Sequence, residues 1–147
     1  MIGRLEELKQ LEKFYNSSKF EFLTLYGRRR IGKTTILREF AGRHRAMFFS
    51  AQEKNDSLNL LDFSKVAQTF FEGSFISSFP NWGAAFEYIT RRTSEEKLVL
   101  IIDEFPFLAE PNPSIKSILQ HTIDHVWKEK NIFLILCGSS VLSLIHI

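Results

Sequence analysis

Leu98 to Ile102 form a run of five consecutive aliphatic residues, and this run constrains the fold more than any other feature of the chain. A strand with one face in water alternates apolar and polar residues, whereas a strand covered on both faces is continuously apolar. The run therefore predicts a central strand of a parallel sheet. Because parallel strands need crossover connections, which are usually helices, the chain is expected to be an α/β protein.

Shorter apolar runs and amphipathic stretches alternate along the rest of the chain. The predicted strands are residues 20–26, 46–50, 98–102 and 132–137, and the predicted helices are residues 4–16, 33–41, 57–72, 82–92 and 114–128. Strands that alternate with helices indicate βαβ crossovers and a doubly wound sheet. We therefore expect a three-layer α/β sandwich, with a mostly parallel sheet between two layers of helices.

The composition agrees with one α/β domain that needs neither a disulfide nor a structural metal to fold. Of the 147 residues 44% are hydrophobic, and Cys137 is the single cysteine, so no disulfide can form within the chain. A lone cysteine favours a reducing compartment, and no apolar run reaches the roughly 18 residues that span a membrane. The expected location is the cytoplasm, without membrane contact.

The charge is unevenly distributed along the chain. Lys and Arg number 19 and Asp and Glu number 17, but the first 50 residues carry eleven basic and five acidic ones. Such an excess of positive charge suits an anionic ligand, and it is equally typical of solvated helix faces. A motif inside this basic half is needed to decide between the two interpretations.

That motif is G-x-x-x-x-G-K-[ST], the phosphate-binding P-loop. It reads Gly27-Arg28-Arg29-Arg30-Ile31-Gly32-Lys33-Thr34, after a predicted strand and at the start of a predicted helix. Its glycines let backbone N–H groups approach phosphate oxygens, and the helix N-terminus adds its positive dipole end. Lys33 would reach the β and γ phosphates, and Thr34 would offer a hydroxyl to Mg²⁺, which prefers oxygen ligands. A basic turn without a ligand is the alternative.

The other residues of the loop are assigned less specifically. The side chains of Arg28, Arg29 and Arg30 can face phosphate, a partner or solvent, and solvent is favoured. As parts of the loop they are counted with the nucleotide-binding residues, together with Ile31 and with Thr35, one position beyond the motif.

Asp103 and Glu104 follow the apolar run directly and so belong at the carboxyl end of a buried strand. Ligands of open α/β sheets bind at this edge. We predict a Walker B arrangement, in which Asp103 holds Mg²⁺ and Glu104 accepts a proton from the water that attacks the γ phosphate. Because an acidic turn after a strand is common, the pair indicates a Walker B motif only in combination with the P-loop.

The chain from Met1 to Val141 resembles the archaeal-type ATPases of the STAND-like group, which are AAA+-related P-loop NTPases. The segments that carry the resemblance are Ile2-Gly3-Arg4 with Glu6-Glu7-Leu8, the P-loop, Trp82 with Phe86, Asp103-Glu104-Phe105-Pro106, and Leu136-Cys137-Gly138-Ser139-Ser140. The resemblance implies ATP binding and hydrolysis, with Arg4 near the base and sugar. It also implies that the last strand lies between the P-loop and Walker B strands, with Ser139 or Ser140 facing the γ phosphate as a sensor. A serine turn without such a role is the alternative.

Members of this group continue with a fifth strand, a helical lid and commonly a winged-helix or nuclease-like region. We expect residues 1–141 to be an incomplete ATPase core, truncated before the fifth strand and lid, whose P-loop strand forms an edge of the sheet. Residues 142–147 are similar to a translated sequencing adapter, with an ordinary apolar tail as the alternative. A DNA or protein partner would act through the carboxyl-terminal region, and a homo-oligomer is a further expectation.

The sequence thus predicts an ATPase that uses ATP and Mg²⁺, and two other functions stay open. One is a nucleotide-dependent switch with little hydrolysis, and the other is a P-loop kinase for a small acceptor, against which Glu104 argues. His121 and His125 lack a third ligand nearby and are expected to be ordinary helix residues, and Cys137 a small buried side chain.

Overall fold

The computed structural model describes residues 4–26 and 32–138 of the chain, and within these ranges strands and helices alternate. The strands are β1 (Glu21–Tyr26), β2 (Ala46–Ser50), β3 (Leu98–Asp103) and β4 (Ile132–Gly138). The helices are α1 (Arg4–Tyr15), α2 (Lys33–Arg43), α3 (Asp56–Glu72), α4 (Trp82–Arg91), α5 (Pro106–Ala109) and α6 (Ser114–His125), followed by a 3₁₀ turn at Trp127–Glu129. The predicted α/β class is confirmed.

The four strands form one parallel sheet in the order β1-β4-β3-β2. The last strand therefore lies between the P-loop strand and the strand that ends in the acid pair, as predicted. β1 and β2 occupy the two ends of the described sheet. Every residue of β3 and β4 is buried, because these inner strands are covered on both faces.

Two apolar layers cover the two faces of the sheet. We call the layer packed under α1 and α2 the α1/α2 layer; it contains Leu8, Leu11, Ile36, Leu37, Phe40, Val99, Ile101, Phe133, Ile135 and Cys137. The opposite layer, which we call the α3–α6 layer, joins Leu100, Ile102, Leu134 and Leu136 of the inner strands to residues of α3, α4, α5 and α6. This arrangement is the predicted three-layer sandwich.

The helix starts follow from local side-chain chemistry. Asn55 caps α3, since its side-chain oxygen accepts a hydrogen bond of 2.9 Å from the Leu58 N–H. Asn81 caps α4 in the same way through the Ala84 N–H at 2.8 Å. Such caps satisfy N–H groups that the first turn of a helix leaves without a partner. The caps set the helix starts at Asp56 and Trp82, and each start is within one residue of the predicted one.

The structure differs from the sequence prediction around two residues. The predicted strands and helices leave Pro106 between elements, but this residue begins the short helix α5, where its fixed φ suits the first helical position. The predicted helix over 114–128 ends at His125, because Trp127 turns inward, is fully buried and donates a hydrogen bond to the Thr90 hydroxyl at 2.7 Å. The indole N–H needs a buried partner, and a 3₁₀ turn brings it there.

His121, His125 and Cys137 were also singled out in the sequence. His121 and His125 are exposed on α6, with their rings stacked at 4.1 Å, and among the described residues no group of three or more potential metal ligands occurs. Cys137 is fully buried, as predicted. In the part of the chain that the structure describes, no helix has the length and apolar character to cross a membrane.

Two leucines of α3 provide a test of the core assignment. Leu60 is 6% exposed and belongs to the α3–α6 layer, whereas Leu58 is 45% exposed. We expect Leu60→Ala to lower the free energy of unfolding by about 2–5 kcal/mol, because it leaves a cavity. Leu58→Ala should change it by less than about 0.5 kcal/mol. Urea unfolding of both variants measures this, and equal losses would contradict the layer assignment.

Candidate nucleotide and metal site

The site predicted from the sequence lies at the carboxyl edge of the parallel sheet. Asp103 is the last residue of β3 and pairs in register with Ser50, the last residue of β2. Tyr26, at the end of β1, pairs with Gly138, at the end of β4. All four strands therefore end at one edge of the sheet. Ligands of open α/β sheets bind at this edge.

Helix α2 begins at this edge, directly after Gly32. Gly32 has φ 75° and ψ 16°, a left-handed conformation that glycine adopts without the steric penalty of a side chain. Its carbonyl accepts a hydrogen bond of 3.0 Å from the Ile36 N–H, so it closes the first turn of the helix. The first turn holds no acidic residue, and the N–H groups that any first helical turn leaves without an intrahelical partner, together with the helix dipole, favour an anion.

Thr34 and Asp103 meet across the boundary between α2 and β3. The Thr34 hydroxyl donates a long hydrogen bond of 3.5 Å to Oδ2 of Asp103, although 69 residues separate the two in sequence. Asp103 is 7% exposed, while Thr34 faces solvent. A hydroxyl and a carboxylate converge here, and both supply the oxygen donors that Mg²⁺ prefers. The donor chemistry of this pair therefore fits a magnesium ion.

Glu104 changes the direction of the chain at the end of β3. Its φ of 57° is the only positive φ at a described residue other than glycine. Its N–H donates to Oδ1 of Asp103 at 3.0 Å, and the next N–H, that of Phe105, donates to the carbonyl of Cys137 at 2.9 Å. The Asp103 carboxylate is therefore hydrogen-bonded to the backbone of Glu104, and the turn after β3 is hydrogen-bonded to β4.

Several predicted site residues cannot be placed. Gly27, Arg28, Arg29, Arg30, Ile31 and Ser139 lie outside the described residues, as do the side chains of Arg4 and Lys33. The described backbone puts Lys33 at the first position of α2 and Arg4 at the first position of α1, and Thr35 is exposed one residue after Thr34. Their roles toward a nucleotide stay predictions.

A histidine holds α1 against α2. Nε2 of His44, at the end of α2, lies 2.8 and 2.9 Å from the two carboxylate oxygens of Glu12. The His44 ring also stacks on Tyr15 with centroids 3.7 Å apart. The contact joins the helix that follows the P-loop to the amino-terminal helix, on which Arg4 lies.

Sequence reasoning missed that Phe105, next to the acid pair, belongs to the apolar core. The ring of Phe105 is fully buried in the α3–α6 layer, although Phe105 follows two acidic residues. A signal was present, since the apolar residues of that layer fall at positions 98, 100 and 102 and an uninterrupted alternation would continue with position 104. The apolar residue comes one position later, which indicates a break in the strand geometry at Glu104.

The comparisons with known proteins agree with this geometry. The model of a family of ATPase domains found predominantly in Archaea matches residues 1–146, and the chain belongs to this family. It is 34% identical over 140 residues to an uncharacterized protein of Methanocaldococcus jannaschii, and the alignment covers 95% of this chain. The aligned part is 30% of that protein, so the chain spans under a third of its relative's length.

Solved structures show the same fold. The Walker-type ATPase of Pyrococcus abyssi is similar with a TM-score of 0.64 at 18% identity, over 92% of this chain and 45% of that one. The Orc1 protein of Aeropyrum pernix, solved in complex with DNA, is similar with a TM-score of 0.63 at 15% identity, over 98% of this chain and 41% of that one. At these identities the likeness shows the P-loop ATPase fold alone.

Replacing glycine by alanine should have opposite effects on stability at Gly32, which caps α2, and at Gly42, which lies inside it. Gly32→Ala should lower the free energy of unfolding by about 1–2 kcal/mol, because the left-handed conformation of Gly32 penalises a Cβ. Gly42 lies inside α2, and a Cβ added there would meet no atom within 4 Å, so Gly42→Ala should raise it by about 0.5–1 kcal/mol. Urea unfolding compares the two, and the same sign for both variants would contradict the assigned backbone.

Proposed function

We propose that this chain binds ATP and hydrolyses it with Mg²⁺. The observation that carries the proposal is the 3.5 Å contact between the Thr34 hydroxyl and the Asp103 carboxylate, at the edge where α2 begins. A hydroxyl that follows the P-loop lysine and an acid that ends a buried strand are the two protein groups that hold the metal in P-loop NTPases. Membership of an ATPase-domain family supports the same reaction.

Several residues of the chain would contact different parts of the nucleotide. N–H groups at the start of α2, after Gly32, would bind phosphate oxygens at the sheet edge. Lys33 would add a positive charge against the β and γ phosphates, with Gly27 to Ile31 completing the loop and Thr35 extending the contact surface of α2. Arg4, at the start of α1, would lie toward the base and sugar.

Thr34 and Asp103 are the residues that would hold Mg²⁺, directly or through water. When bound, the metal supplies positive charge that neutralises the β and γ phosphate oxygens. Glu104 would orient the attacking water and accept one of its protons as the water oxygen bonds to the γ phosphorus. The bond from that phosphorus to the bridging oxygen of ADP breaks, which releases ADP and inorganic phosphate. Ser139 would sense the γ phosphate from the end of β4.

Glu104→Gln and Lys33→Ala separate hydrolysis from binding. We expect Glu104→Gln to lower ATP turnover by about 10²- to 10⁴-fold while ATP affinity stays unchanged, because only the proton acceptor is lost. Lys33→Ala should weaken ATP binding itself. Turnover is measured by phosphate release and affinity by calorimetry with Mg²⁺ present.

Glu110→Gln is the matched control, since Glu110 is exposed at the end of α5 and belongs to no proposed contact. It should leave turnover and affinity unchanged. Full turnover in Glu104→Gln, together with full affinity in Lys33→Ala, would contradict the proposal.

A second function is a switch, in which the bound nucleotide controls contact with a partner and hydrolysis is slow. The similar fold of an Orc1 protein solved in complex with DNA favours DNA as the partner to test first. In both functions, the nucleotide would act on a carboxyl-terminal module or on a second copy of the chain.

The switch predicts that ATP and ADP give different affinities for duplex DNA or different oligomeric states. Fluorescence anisotropy with a labelled duplex and size-exclusion chromatography measure the two properties. Lys33→Ala should remove any difference between the nucleotides. Equal affinities and equal elution volumes with ATP and ADP would exclude the switch for this chain.

A further inference from the structure

The end of β3 departs from the alternation of the strand. Leu100 and Ile102 face the α3–α6 layer, and Val99 and Ile101 face the α1/α2 layer. Asp103 continues the second set, since it contacts Thr34 on α2. Successive residues of a strand face opposite sides, so a continuing strand would direct Glu104 into the apolar α3–α6 layer.

Phe105 occupies that place instead. Its side chain is fully buried in the α3–α6 layer, one position later than the alternation requires, while Glu104 is only partly buried. The left-handed backbone of Glu104 accounts for the shift, because one residue at φ 57° removes the chain from strand geometry. A charged side chain is thereby kept out of an apolar layer.

The left-handed conformation is held by several contacts at once. The Phe105 N–H donates to the Cys137 carbonyl at 2.9 Å, and the Glu104 N–H donates to Oδ1 of Asp103 at 3.0 Å. The Glu104 carbonyl accepts from the Phe107 N–H at 3.0 Å, at the start of α5. Residues with a side chain rarely adopt positive φ, and such strain persists only where the surrounding structure fixes it.

We propose that Phe105 is a positioning residue for hydrolysis, an inference that rests on the function proposed above. Its buried ring and its hydrogen bond to β4 keep Glu104 left-handed, and this conformation sets the direction of the Glu104 carboxylate relative to Asp103. The strain at Glu104 is maintained by burial of its neighbour. A side chain at position 105 that fits the layer less well should therefore lower the rate of hydrolysis without changing the affinity for ATP.

The first test measures strain and needs no hydrolysis. Glu104→Gln and Glu104→Gly both remove the carboxylate charge, but only glycine adopts the left-handed conformation freely. We expect Glu104→Gly to melt about 2–4 °C above Glu104→Gln in thermal unfolding. An equal or lower melting temperature for the glycine variant would overturn the inference, because glycine is the less stable choice wherever the backbone is relaxed.

The second test separates positioning from general stability. Phe105→Leu keeps an apolar residue in the layer, and Phe86→Leu makes the same change at a fully buried phenylalanine of α4 in the same layer. In the full chain with Mg²⁺ and ATP, we expect Phe105→Leu to lower kcat about tenfold and to leave the ATP dissociation constant within about twofold. Phe86→Leu should leave both unchanged.

The outcomes distinguish this inference from the function on which it rests. Wild-type turnover with equal losses of kcat in the two leucine variants would overturn the inference alone, since Phe105 would then act only through stability. A weaker ATP affinity in Phe105→Leu would also overturn it. A wild-type chain that binds no ATP, or never hydrolyses it, would overturn the proposed function and this inference with it.

Discussion

Burial of the two inner strands on both faces is the constraint on which the rest of the structure depends. Every residue of β3 and β4 is buried, and a buried charge without a partner is costly, so the interiors of these strands contain no acidic or basic side chain. Charge can enter only where a strand ends. Because all four strands are parallel, their carboxyl ends share one edge, and Asp103 reaches it as the last residue of β3. The candidate site therefore lies at this edge of the sheet.

The groups at that edge are joined by hydrogen bonds between distant parts of the chain. Thr34 comes from α2, Asp103 from β3, and the Cys137 carbonyl, which holds the turn after Asp103, from β4. Each belongs to an element fixed by one of the two apolar layers. The positions of the polar atoms are therefore set by apolar packing behind them, which is a general requirement for a preorganised site.

Much of this arrangement could be predicted from the sequence, for identifiable reasons. The run from Leu98 to Ile102 indicated a buried parallel strand because a strand covered on both faces is continuously apolar over about this length. The P-loop and the acid pair put two sets of polar residues at strand ends, and the structure brings Thr34 and Asp103 of these sets together. The position of β4 in the sheet came from resemblance to a family, and periodicity alone would not have supplied it.

Other features could not be predicted because they depend on tertiary contacts. Pro106 is equally compatible with a loop and with the first position of a helix, and the early end of α6 follows from the buried bond between Trp127 and Thr90. The left-handed backbone of Glu104 is the clearest case. Glycine and asparagine signal that conformation, and glutamate does not, so only the displaced apolar position of Phe105 pointed to it.

The left-handed glutamate has a consequence for how this domain can be altered. Stabilising substitutions are commonly chosen by replacing a strained residue with one that fits its backbone. At position 104 that rule selects glycine or asparagine, and either one removes the carboxylate. With the role proposed for Glu104, selection for thermal stability and selection for ATP turnover would favour different residues at this position. On that proposal, a library screened for heat resistance alone would collect inactive chains here.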